Sequence, residues 1–426
     1  MQSFVIEGGR PLAGTVRAAG NKNGALPILA ATVLSSEPVV LTNVPRIRDV
    51  ETMVSLLADL GASAEWTGPN EVTVDSSGVS KTELHPVLGR EIRASFLLAG
   101  PLLARFGRAI VPPPGGDVIG RRRLDTQIHA FAELGVDVDL NGAYDLRTTG
   151  LSGKRLFLDE ASVMATENAV MAAVLATGET IVGHAACEPH IQDLCHFLVS
   201  LGAQIEGIGS NILRIQGVEQ LSGGTHRIRS EHVEVASFAA LAATTGGEVT
   251  IEDVEPDDLI SIVPAFRKLG IELDVGETTV RVPPGQELHV VDDLGDQIPK
   301  IESGIWPAFP ADLTSIAVVA ATQARGTVLV FEKMFESRLF FVDKLVSMGA
   351  RIILCDPHRV VVTGPARLYG QRLESPDIRA GMAMVIAALC AEGRSTIGNI
   401  GQIDRGYERI DERLQGLGAI IERVDL

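Results

Sequence analysis

Aromatic residues, cysteines and basic residues are all scarce in this chain of 426 residues. Phe, Trp and Tyr make up 4% of it while 46% of the residues are hydrophobic, so the core must be built from Ala, Val, Leu and Ile. Such a chain buries enough apolar surface to fold, which excludes disorder as its main state. The 37 basic and 54 acidic residues give a net charge of −17, which excludes a broad basic surface for nucleic acid or anionic membranes. Any bound anion must therefore be held by a local cluster of Arg and Lys.

Signals for membranes, secretion and metals are missing as well. Apolar runs such as residues 94–106 fall short of the roughly 20 residues that span a bilayer, and the start MQSFVIEGGRPLAG lacks the segments of a secretion signal. Cys187, Cys195, Cys355 and Cys390 have no metal-ligand spacing, and they predict reduced core thiols in a cytoplasmic protein. The sequence also lacks phosphate-binding and dinucleotide-binding glycine motifs. We therefore expect no cofactor, no metal and no membrane insertion.

An internal repeat is the most informative feature of the sequence. A phrase of the type Leu-x-x-Leu-Gly-Ala occurs six times, as LLADLGAS, FAELGVDV, LVSLGAQI, FRKLGIEL, LVSMGARI and LQGLGAII. Its glycines are Gly61, Gly135, Gly202, Gly270, Gly349 and Gly418, which lie 67 to 79 residues apart. A period of about 70 residues predicts six structurally equivalent units.

Each unit shows the same order of elements. An apolar helix is followed by a turn, a β-branched strand, a loop and an amphipathic helix that ends at the Leu-Gly phrase, where Gly suits a left-handed C-terminal cap. The apolar helices are predicted at residues 25–34, 94–106, 169–176, 235–244, 313–322 and 381–391. We expect an α/β protein with three units in each of two domains; six units in a single ring are the alternative.

Polar residues gather at the starts of the apolar helices and in the loops after the strands. Helix N-termini favour anions through free N–H groups and the macrodipole, and convergent arginines hold a small polyanion through bidentate hydrogen bonds. The candidates are Asn21, Lys22, Asn23, Arg93, Asp312, Asp377 and Arg379 at helix starts, and Arg122, Arg123, Asp125, Arg338 and Arg405 in loops. The plain alternative for each is a solvated loop charge or a helix N-cap.

The loop 111–123, VPPPGGDVIGRRR, differs from its five counterparts. It is stiff at its prolines, flexible at Gly115 and Gly116, and basic at its far end. This composition predicts a lid that closes over a bound anion, and a surface turn is the alternative. Asp117 in the lid and Asp312 at a helix start are candidates for acid–base catalysis.

With these motifs the sequence resembles the enolpyruvyl transferase family over essentially its whole length, and within it the UDP-N-acetylglucosamine 1-carboxyvinyltransferases. The resemblance rests on GNKNGALPILAATVL, EIRAS, PGGDVIGRRRLD, FPADL, SPDIRAG and IDRGYERIDERL, which are highly specific together. It implies a two-domain inside-out α/β barrel of six repeats, three per domain, with the ligands in the cleft between the domains. It also implies that residues 1–20 join 233–426 in one domain, and that 21–232 form the other and carry the lid 111–123.

The resemblance also implies a reaction. The enolpyruvyl group of phosphoenolpyruvate passes to the sugar 3-hydroxyl of UDP-N-acetylglucosamine, phosphate is released, and peptidoglycan precursor synthesis begins. The hydroxyl attacks carbon 2 while a general acid protonates carbon 3, and the adduct then loses phosphate and a proton. Many members use a lid cysteine as that acid, which the epoxide antibiotic fosfomycin alkylates. Here the lid residue is Asp117, which must be protonated to serve and which predicts insensitivity to fosfomycin.

Individual roles follow from the same resemblance. Lys22, Asn23, Arg122 and Arg405 are expected to bind phosphoenolpyruvate. Asp312 is expected to deprotonate the sugar hydroxyl, and Asp377 to stand near the proton-transfer path. The expected contacts to the nucleotide-sugar are Arg93, Arg123, Leu124, Asp125, Thr126, Glu160, Ala161, Ser162, Val163 and the main chain of Met334. Arg338 is expected to be an arginine of the cleft, and Arg379 a further substrate-binding residue.

Four positions depart from the family pattern and leave the acceptor open. The family usually has a proline where this chain has Arg123 and a lysine where it has Glu160. It usually has a glycine at the position of Met164 and a histidine at that of Gln402. One alternative acceptor is a uridine nucleotide of secondary metabolism, and another is shikimate 3-phosphate, although the enzymes that use the latter have serine around the lysine. A catalytically silent ligand sensor on the same scaffold is the non-enzyme alternative, and the joint retention of the Lys, Arg and Asp candidates argues against it.

Overall fold

The helices alternate between buried apolar segments and amphipathic surface segments. The structure is a computed structural model, and it describes residues 2–117, 119–120 and 122–425. The α-helices are α1 (Lys22–Ala31), α2 (Arg48–Leu60), α3 (Leu88–Glu91), α4 (Ala99–Phe106), α5 (Asp125–Glu133), α6 (Val163–Ala173), α7 (Pro189–Ser200), α8 (His232–Thr244), α9 (Ile262–Arg267), α10 (Thr314–Ala321), α11 (Val342–Ser347), α12 (Ile378–Cys390) and α13 (Ile410–Gly416). Short 3-10 helices are Thr32–Leu34, Arg93–Leu98, Pro256–Leu259, Ala311–Leu313 and Ile400–Arg405. Val118 and Arg121 of the predicted lid lie outside the described residues.

The strands are short and run along the whole chain. They are β1 (Gln2–Glu7), β2 (Ala13–Arg17), β3 (Val39–Thr42), β4 (Ser63–Gly68), β5 (Glu71–Asp75), β6 (Arg108–Val111), β7 (Asp137–Leu140), β8 (Tyr144–Arg147), β9 (Arg155–Phe157), β10 (Glu179–Gly183), β11 (Gln204–Glu206), β12 (Ile212–Gln216), β13 (Gly224–Arg227), β14 (Glu248–Glu252), β15 (Asp274–Val275), β16 (Thr279–Val282), β17 (Lys300–Glu302), β18 (Gly326–Phe331), β19 (Ile352–Asp356), β20 (Arg359–Gly364), β21 (Arg372–Glu374), β22 (Arg394–Gly398) and β23 (Ile420–Asp425). Within the described ranges they form six small sheets, one for each repeat of the sequence.

The chain divides into two compact units. Unit 1 comprises Met1–Ala19, Val118–Arg121 and Ser230–Leu426, and unit 2 comprises Gly20–Asp117 and Arg122–Arg229. Unit 1 contains the sheets β21-β22-β1-β23, β15-β16-β14-β2 and β17-β18-β20-β19; unit 2 contains β11-β12-β10-β9, β13-β3-β5-β4 and β6-β8-β7. The first two strands belong to unit 1 because β1 pairs antiparallel with β22 and β23, and β2 pairs parallel with β14.

Each unit has its own hydrophobic core around three buried helix segments. In unit 1 these are α8, α10 and α12, which contact one another. In unit 2 they are α1, α4 with the preceding 3-10 helix, and α6. Nearly every residue of α8, α10 and α12 is buried, because helices that are apolar all round must be covered on every side. The predicted α/β organisation, with six apolar helices inside, is confirmed.

The predicted apolar helices overlap the observed ones, but several of the predicted first residues are wrong. The helices expected from residues 169, 235 and 381 begin at Val163, His232 and Ile378. The reason is that their first turns carry polar or charged residues that are nevertheless helical and buried. The segment expected as one helix from residue 94 begins instead as the 3-10 helix Arg93–Leu98.

The six glycines of the repeated phrase all adopt positive φ, between +73° and +107°. They follow α2, α5, α7, α9, α11 and α13, as expected for left-handed C-terminal caps. The capping geometry explains the repeat, because glycine reaches this backbone conformation without the steric cost that a Cβ brings.

Cys355 contradicts the expectation of four core thiols. Cys187 and Cys195 are buried and Cys390 is half-buried, but Cys355 is exposed; none of the four forms a disulfide. Cys355 lies on β19, which pairs only with β20 at the edge of its sheet and leaves several side chains in solvent. No helix among the described residues is long and apolar enough to cross a membrane.

Gly61 and Gly202 offer a matched test of the caps. Their φ angles are +107° and +105°, but a Cβ at Gly61 would lie 2.6 Å from the carbonyl oxygen of Gly78, whereas a Cβ at Gly202 would meet nothing within 4 Å. We predict that Gly202→Ala lowers the free energy of unfolding by about 1 kcal/mol through backbone strain alone. Gly61→Ala is expected to cost about 1 kcal/mol more. Urea unfolding of both variants checks this, and equal losses would contradict the steric account.

Candidate active site

Lys22 begins the buried helix α1 and forms an ion pair. The side chain of the preceding Asn21 accepts a hydrogen bond from the Gly24 N–H at 2.9 Å and caps the helix. Lys22 Nζ lies 2.7 Å from Asp49 Oδ2, and only 11% and 5% of the two side chains are exposed. Asp49 stands in the first turn of α2, where the helix dipole favours a carboxylate. Asn23, the next residue of α1, is half-buried. The first turn of α1 therefore holds a fixed, buried ammonium group.

Arg93 braces the far end of the predicted lid. Its Nη2 donates to the carbonyl oxygens of Arg122 at 2.8 Å and Arg123 at 3.1 Å. Burial, together with the nearby charge of Arg122, lowers the pKa of Arg93 to about 10. The geometry gives Arg93 a role in holding the loop, in addition to any contact with a ligand.

Two glycines of the predicted lid, Gly115 and Gly116, pass close to the backbone of unit 2. A Cβ at Gly115 would collide with the Arg90 carbonyl oxygen, and one at Gly116, whose φ is +106°, would lie 2.9 Å from Arg93 Cβ. Both positions therefore require glycine, because a Cβ would collide with the neighbouring backbone or side chain. The sequence alone predicts only that these glycines make the loop flexible. Asp117 follows directly and is half-buried.

The two stretches predicted to contact the nucleotide lie side by side. Thr126 Oγ1 donates to Asp159 Oδ1 at 2.6 Å, and Arg123 donates from Nε to Asp125 Oδ2 at 2.7 Å. Arg123 Nη2 also lies 3.5 Å from Asp159 Oδ2. Asp159 immediately precedes Glu160, so it joins the stretch 123–126 to the stretch 160–163.

The second stretch leads into a buried helix. Glu160 is exposed, Ala161 is buried, and the Ser162 side chain caps α6 by accepting from the Ala165 N–H at 3.4 Å. Val163 is the first residue of α6, and Leu124, just before α5, packs partly buried against the core. Glu160 and Ser162 therefore place polar groups at the start of α6, while Leu124 and Val163 pack against the core.

In unit 1, Asp312 lies between two arginines. Its Oδ1 accepts from Arg338 Nη2 at 2.9 Å, and its Oδ2 accepts from Arg379 Nε at 3.1 Å. The arginine side chains are 4% and 6% exposed, whereas that of Asp312 is 29% exposed. Asp312 is thus a carboxylate with two fixed cations behind it and an open side. Hydrogen bonds between charged groups of this kind are shorter and stronger than neutral ones, so they fix the orientation of the carboxylate.

Arg379 is the centre of a larger buried cluster. Its Nη2 lies 3.8 Å from Glu231 Oε2, and its guanidinium carbon is 5.5 Å from the centre of the Tyr407 ring. Burial alone would lower the pKa of Arg379, but the charge of Asp312, with Tyr407 and Glu231, raises it above the usual value. Burial also raises the pKa of Glu231, and the Arg379 charge offsets only part of that effect.

Two guanidinium N–H groups of this cluster have unused hydrogen-bonding capacity. Arg338 Nε and Arg379 Nη1 are buried and make no hydrogen bond within the described part of the chain. Buried donors of this kind cost roughly 1–3 kcal/mol each and are uncommon in folded proteins. Such a cost is typical of sites shaped for a ligand or a strained state rather than for stability.

Asp377, Arg405 and Met334 lie in three turns of unit 1. Asp377 Oδ1 caps α12 by accepting from the N–H groups of Arg379 at 2.8 Å and Ala380 at 2.9 Å. Arg405 ends the 3-10 helix Ile400–Arg405, and its Nη1 donates to Gln402 Oε1 at 2.9 Å. The Met334 N–H donates to Glu332 Oε1 at 2.7 Å.

The structure thus assembles the predicted residues in two sets, one in each unit. Unit 2 holds Lys22, Asn23, Arg93, Asp117, Arg122 and the stretches 123–126 and 160–163; unit 1 holds Asp312, Met334, Arg338, Asp377, Arg379 and Arg405. Three carboxylates that organise these sets, Asp49, Asp159 and Glu231, are not among the residues predicted from the sequence. Asp49 stands in the first turn of α2, Asp159 in the loop after β9 and Glu231 at the N-cap of α8, where acidic residues are common, so no local signal distinguished them. In the described ranges no group of three His, Cys, Asp or Glu is placed to hold a metal ion.

Comparison with solved structures defines the fold. An enolpyruvyl transferase from Streptomyces tendae superimposes with a TM-score of 0.90, covering 99% of both chains at 24% sequence identity. The EPSP synthase of Acinetobacter baumannii superimposes with a TM-score of 0.77 over 100% of both chains at 19% identity. At these identities the likeness establishes the fold alone: the enolpyruvyl transferase fold.

Sequence comparison defines the family. A family model described as EPSP synthase (3-phosphoshikimate 1-carboxyvinyltransferase) matches residues 6–414, and the chain belongs to this family. It is 55% identical over 421 residues to the UDP-N-acetylglucosamine 1-carboxyvinyltransferase of Bradyrhizobium diazoefficiens, covering 99% of this chain and 98% of the relative. The enzymes of the same name from Treponema denticola and Porphyromonas gingivalis are 54% and 46% identical, over 99% and 100% of both chains. The resemblance seen in the sequence is confirmed.

The buried Glu167 on α6 predicts how the stability of the fold depends on pH. It is fully buried, and burial, together with the charge of Glu188, raises its pKa well above the usual value. A carboxyl whose folded-state pKa is raised stabilises the fold below its unfolded pKa, and that stability is lost as pH rises through the folded-state pKa. We predict that Glu167→Gln is more stable than wild type at neutral pH, with the difference shrinking toward pH 4. Thermal melts across pH check this, with the exposed Glu160→Gln as control; a pH-independent difference would contradict it.

Proposed function

We propose that the protein transfers the enolpyruvyl group of phosphoenolpyruvate to the 3-hydroxyl of UDP-N-acetylglucosamine, releases phosphate, and so catalyses the first step of peptidoglycan precursor synthesis. The observation that carries the proposal is the 55% identity to an enzyme of that name over 99% of this chain. The two polar clusters support it, because they supply the cations and the carboxylates that the reaction needs. Its four cysteines form no disulfide, which fits a reducing cytoplasm.

Binding of phosphoenolpyruvate requires several positive charges. Lys22, Arg122 and Arg405 supply them, and Asn23 adds an amide beside Lys22. Lys22 is paired with Asp49, so its ammonium is already fixed in place. Fixed donors lose less conformational entropy on binding than mobile surface lysines do.

The base for the sugar hydroxyl is Asp312. Arg338 and Arg379 orient its carboxylate, and its partial exposure leaves room for a hydroxyl. As the carboxylate takes the proton, the sugar oxygen forms a bond to carbon 2 of phosphoenolpyruvate. The unused N–H groups of the two arginines can take up anionic oxygens of a ligand after a small side-chain movement.

Asp117 completes the addition step as the general acid. It delivers its proton to carbon 3, so that carbon 2 becomes tetrahedral. The bond from carbon 2 to the phosphate oxygen then breaks, a proton leaves carbon 3, and the enol ether and phosphate result. Asp377 caps α12 beside Arg379, where it stabilises the turn that lies along the proposed proton path.

The acceptor side is formed by Arg123, Asp125, Thr126 and the stretch 160–163. Asp159 ties these residues together, so the stretch after β9 and the start of α5 form one surface. The negative charge of Glu160 and the positive charge of Arg123 are features of this chain that set the acceptor preference. Met334 contributes a main-chain contact to the nucleotide-sugar from a turn fixed by Glu332.

An assay of phosphate release tests the function. The purified protein is given phosphoenolpyruvate with UDP-N-acetylglucosamine, uridine 5′-phosphate or shikimate 3-phosphate as separate acceptors. We expect release that depends on UDP-N-acetylglucosamine and at least about tenfold slower release with the others. Release with another acceptor only would reassign the acceptor, and binding without release would indicate a ligand sensor.

Lys22→Ala and Arg405→Ala are predicted to act on phosphoenolpyruvate. Each removes a charged hydrogen bond worth roughly 1.5–3 kcal/mol, so KM for phosphoenolpyruvate should rise by about 10- to 100-fold. The Kd of the nucleotide-sugar should change less than about threefold. Calorimetric titration with UDP-N-acetylglucosamine provides the control, and a matching loss of acceptor affinity would place both residues on the wrong ligand.

Asp117 variants test the proton donor. A carboxyl group is a weak nucleophile toward an epoxide, so wild type should show no time-dependent loss of activity with fosfomycin. Asp117→Cys should retain transfer and become covalently inhibited, because a thiolate is a strong nucleophile. Asp117→Asn should lose about 100-fold or more in kcat, since an amide cannot donate the proton. Intact-mass analysis detects the adduct; an adduct on wild type or full activity of the Asn variant would reject the assignment.

A further inference from the structure

A network of ion pairs includes Asp404, the residue that precedes Arg405 in the chain. Arg423, on the last strand β23, donates from Nη1 and Nη2 to the two carboxylate oxygens of Asp404, both at 2.8 Å. It also donates from Nε and Nη2 to the carboxylate of Asp411, both at 3.1 Å. One guanidinium therefore joins β23, the 3-10 helix Ile400–Arg405 and the first turn of α13.

Two further contacts fix the orientation of Arg423. Its guanidinium carbon lies 4.9 Å from the centre of the Phe4 ring on β1, and its Nη1 donates to Gln2 Oε1 at 3.2 Å. Isolated surface ion pairs contribute little to stability, but bidentate pairs that form a network are the exception. The side chains are only partly exposed: 27% for Arg423, 30% for Asp404 and 13% for Asp411.

The turn that carries Arg405 is held from its other side as well. A Cβ at Gly406 would collide with Ile378 of α12, so the backbone just after Arg405 packs tightly against the helix that carries Arg379. Arg405 Nη1 donates to Gln402 Oε1 within the same turn. The backbone of the turn and the side chain of Arg405 are thus restrained by separate groups.

We propose that Arg423 is a positioning residue for Arg405. By clamping Asp404, the residue just before Arg405, it fixes the backbone from which the Arg405 side chain projects, while Gln402 sets the direction of its guanidinium. In this proposal Arg423 acts through Arg405 rather than directly on the substrate. This inference rests on the proposed function only in taking Arg405 as a phosphoenolpyruvate contact.

The consequence is a selective effect on phosphoenolpyruvate affinity. If the turn is loosened, Arg405 samples several orientations and must be ordered when the substrate binds, which weakens binding without removing the charge. Arg423→Lys keeps the positive charge but cannot bond both carboxylates in the bidentate manner of a guanidinium. We expect KM for phosphoenolpyruvate to rise about tenfold, with kcat within about twofold and the nucleotide-sugar Kd unchanged. Asp404→Asn is expected to have the same effect.

Arg281→Lys is the matched control. Arg281 also bridges two carboxylates of unit 1, Glu248 at 2.6 Å and Asp274 at 3.1 Å, but it lies on β16 and borders none of the candidate site residues in sequence. Its replacement should leave KM for phosphoenolpyruvate unchanged. All variants are assayed at a temperature where circular dichroism shows them folded, so that loss of stability does not enter the comparison.

A double-mutant cycle separates positioning from general damage. In an Arg405→Ala background, Arg423→Lys should have no further effect on KM for phosphoenolpyruvate, because there is no guanidinium left to position. Additive effects in the cycle, or an unchanged KM in the single Arg423→Lys variant, would overturn the inference. Absence of turnover in wild type would instead refute the proposed function, so the two failures are distinguishable.

Discussion

An α-helix that is apolar on all sides has to be covered on all sides, and this requirement governs each unit of the protein. In unit 1, α8, α10 and α12 contact one another and are covered by the sheets and surface helices of the same unit. Such helices offer no exposed face for chemistry, so the only places left for polar groups are their N-terminal turns and the loops beside them. Lys22 at the start of α1 and Asp312 just before α10 both occupy such positions.

Placing charges at the ends of buried helices has an energetic cost, and the structure shows how it is met. Lys22 is offset by Asp49, and Asp312 by Arg338 and Arg379. Removing one partner of such a buried pair typically costs about 3–5 kcal/mol, because an uncompensated charge remains. The pairs therefore hold functional groups in a defined position. The unused N–H groups of the two arginines indicate that this part of unit 1 is not optimised for stability alone.

The repeat architecture could be predicted from the sequence because each unit contains its own helix-capping glycine. The glycine after each surface helix has positive φ in all six copies, so a chemical requirement of the backbone appears directly as a sequence period. The starts of the apolar helices were harder to locate. Their first turns carry Thr, Glu, Asn or Arg, which local propensity assigns to a loop but which tertiary packing makes helical.

Side-chain partners could not be predicted at all from the chain alone. Asp49 lies 27 residues after Lys22, and Arg423 lies 19 residues after Asp404, so only the folded structure brings them together. The prediction that Cys355 is a core thiol was wrong for a related reason. Its neighbours Ile353 and Leu354 are apolar, which predicts a core strand, whereas the sheet order places β19 at an edge where these side chains are exposed.

The central claim, an addition followed by an elimination on phosphoenolpyruvate, predicts where a solvent proton enters the product. The reaction is run in deuterated water with UDP-N-acetylglucosamine, and the product is examined by nuclear magnetic resonance. Because carbon 3 gains a solvent proton in the addition and loses one in the elimination, the methylene group of the enol ether should contain deuterium, and the ether should be attached at the sugar 3-oxygen. A product free of deuterium, or attached elsewhere on the acceptor, would contradict the account.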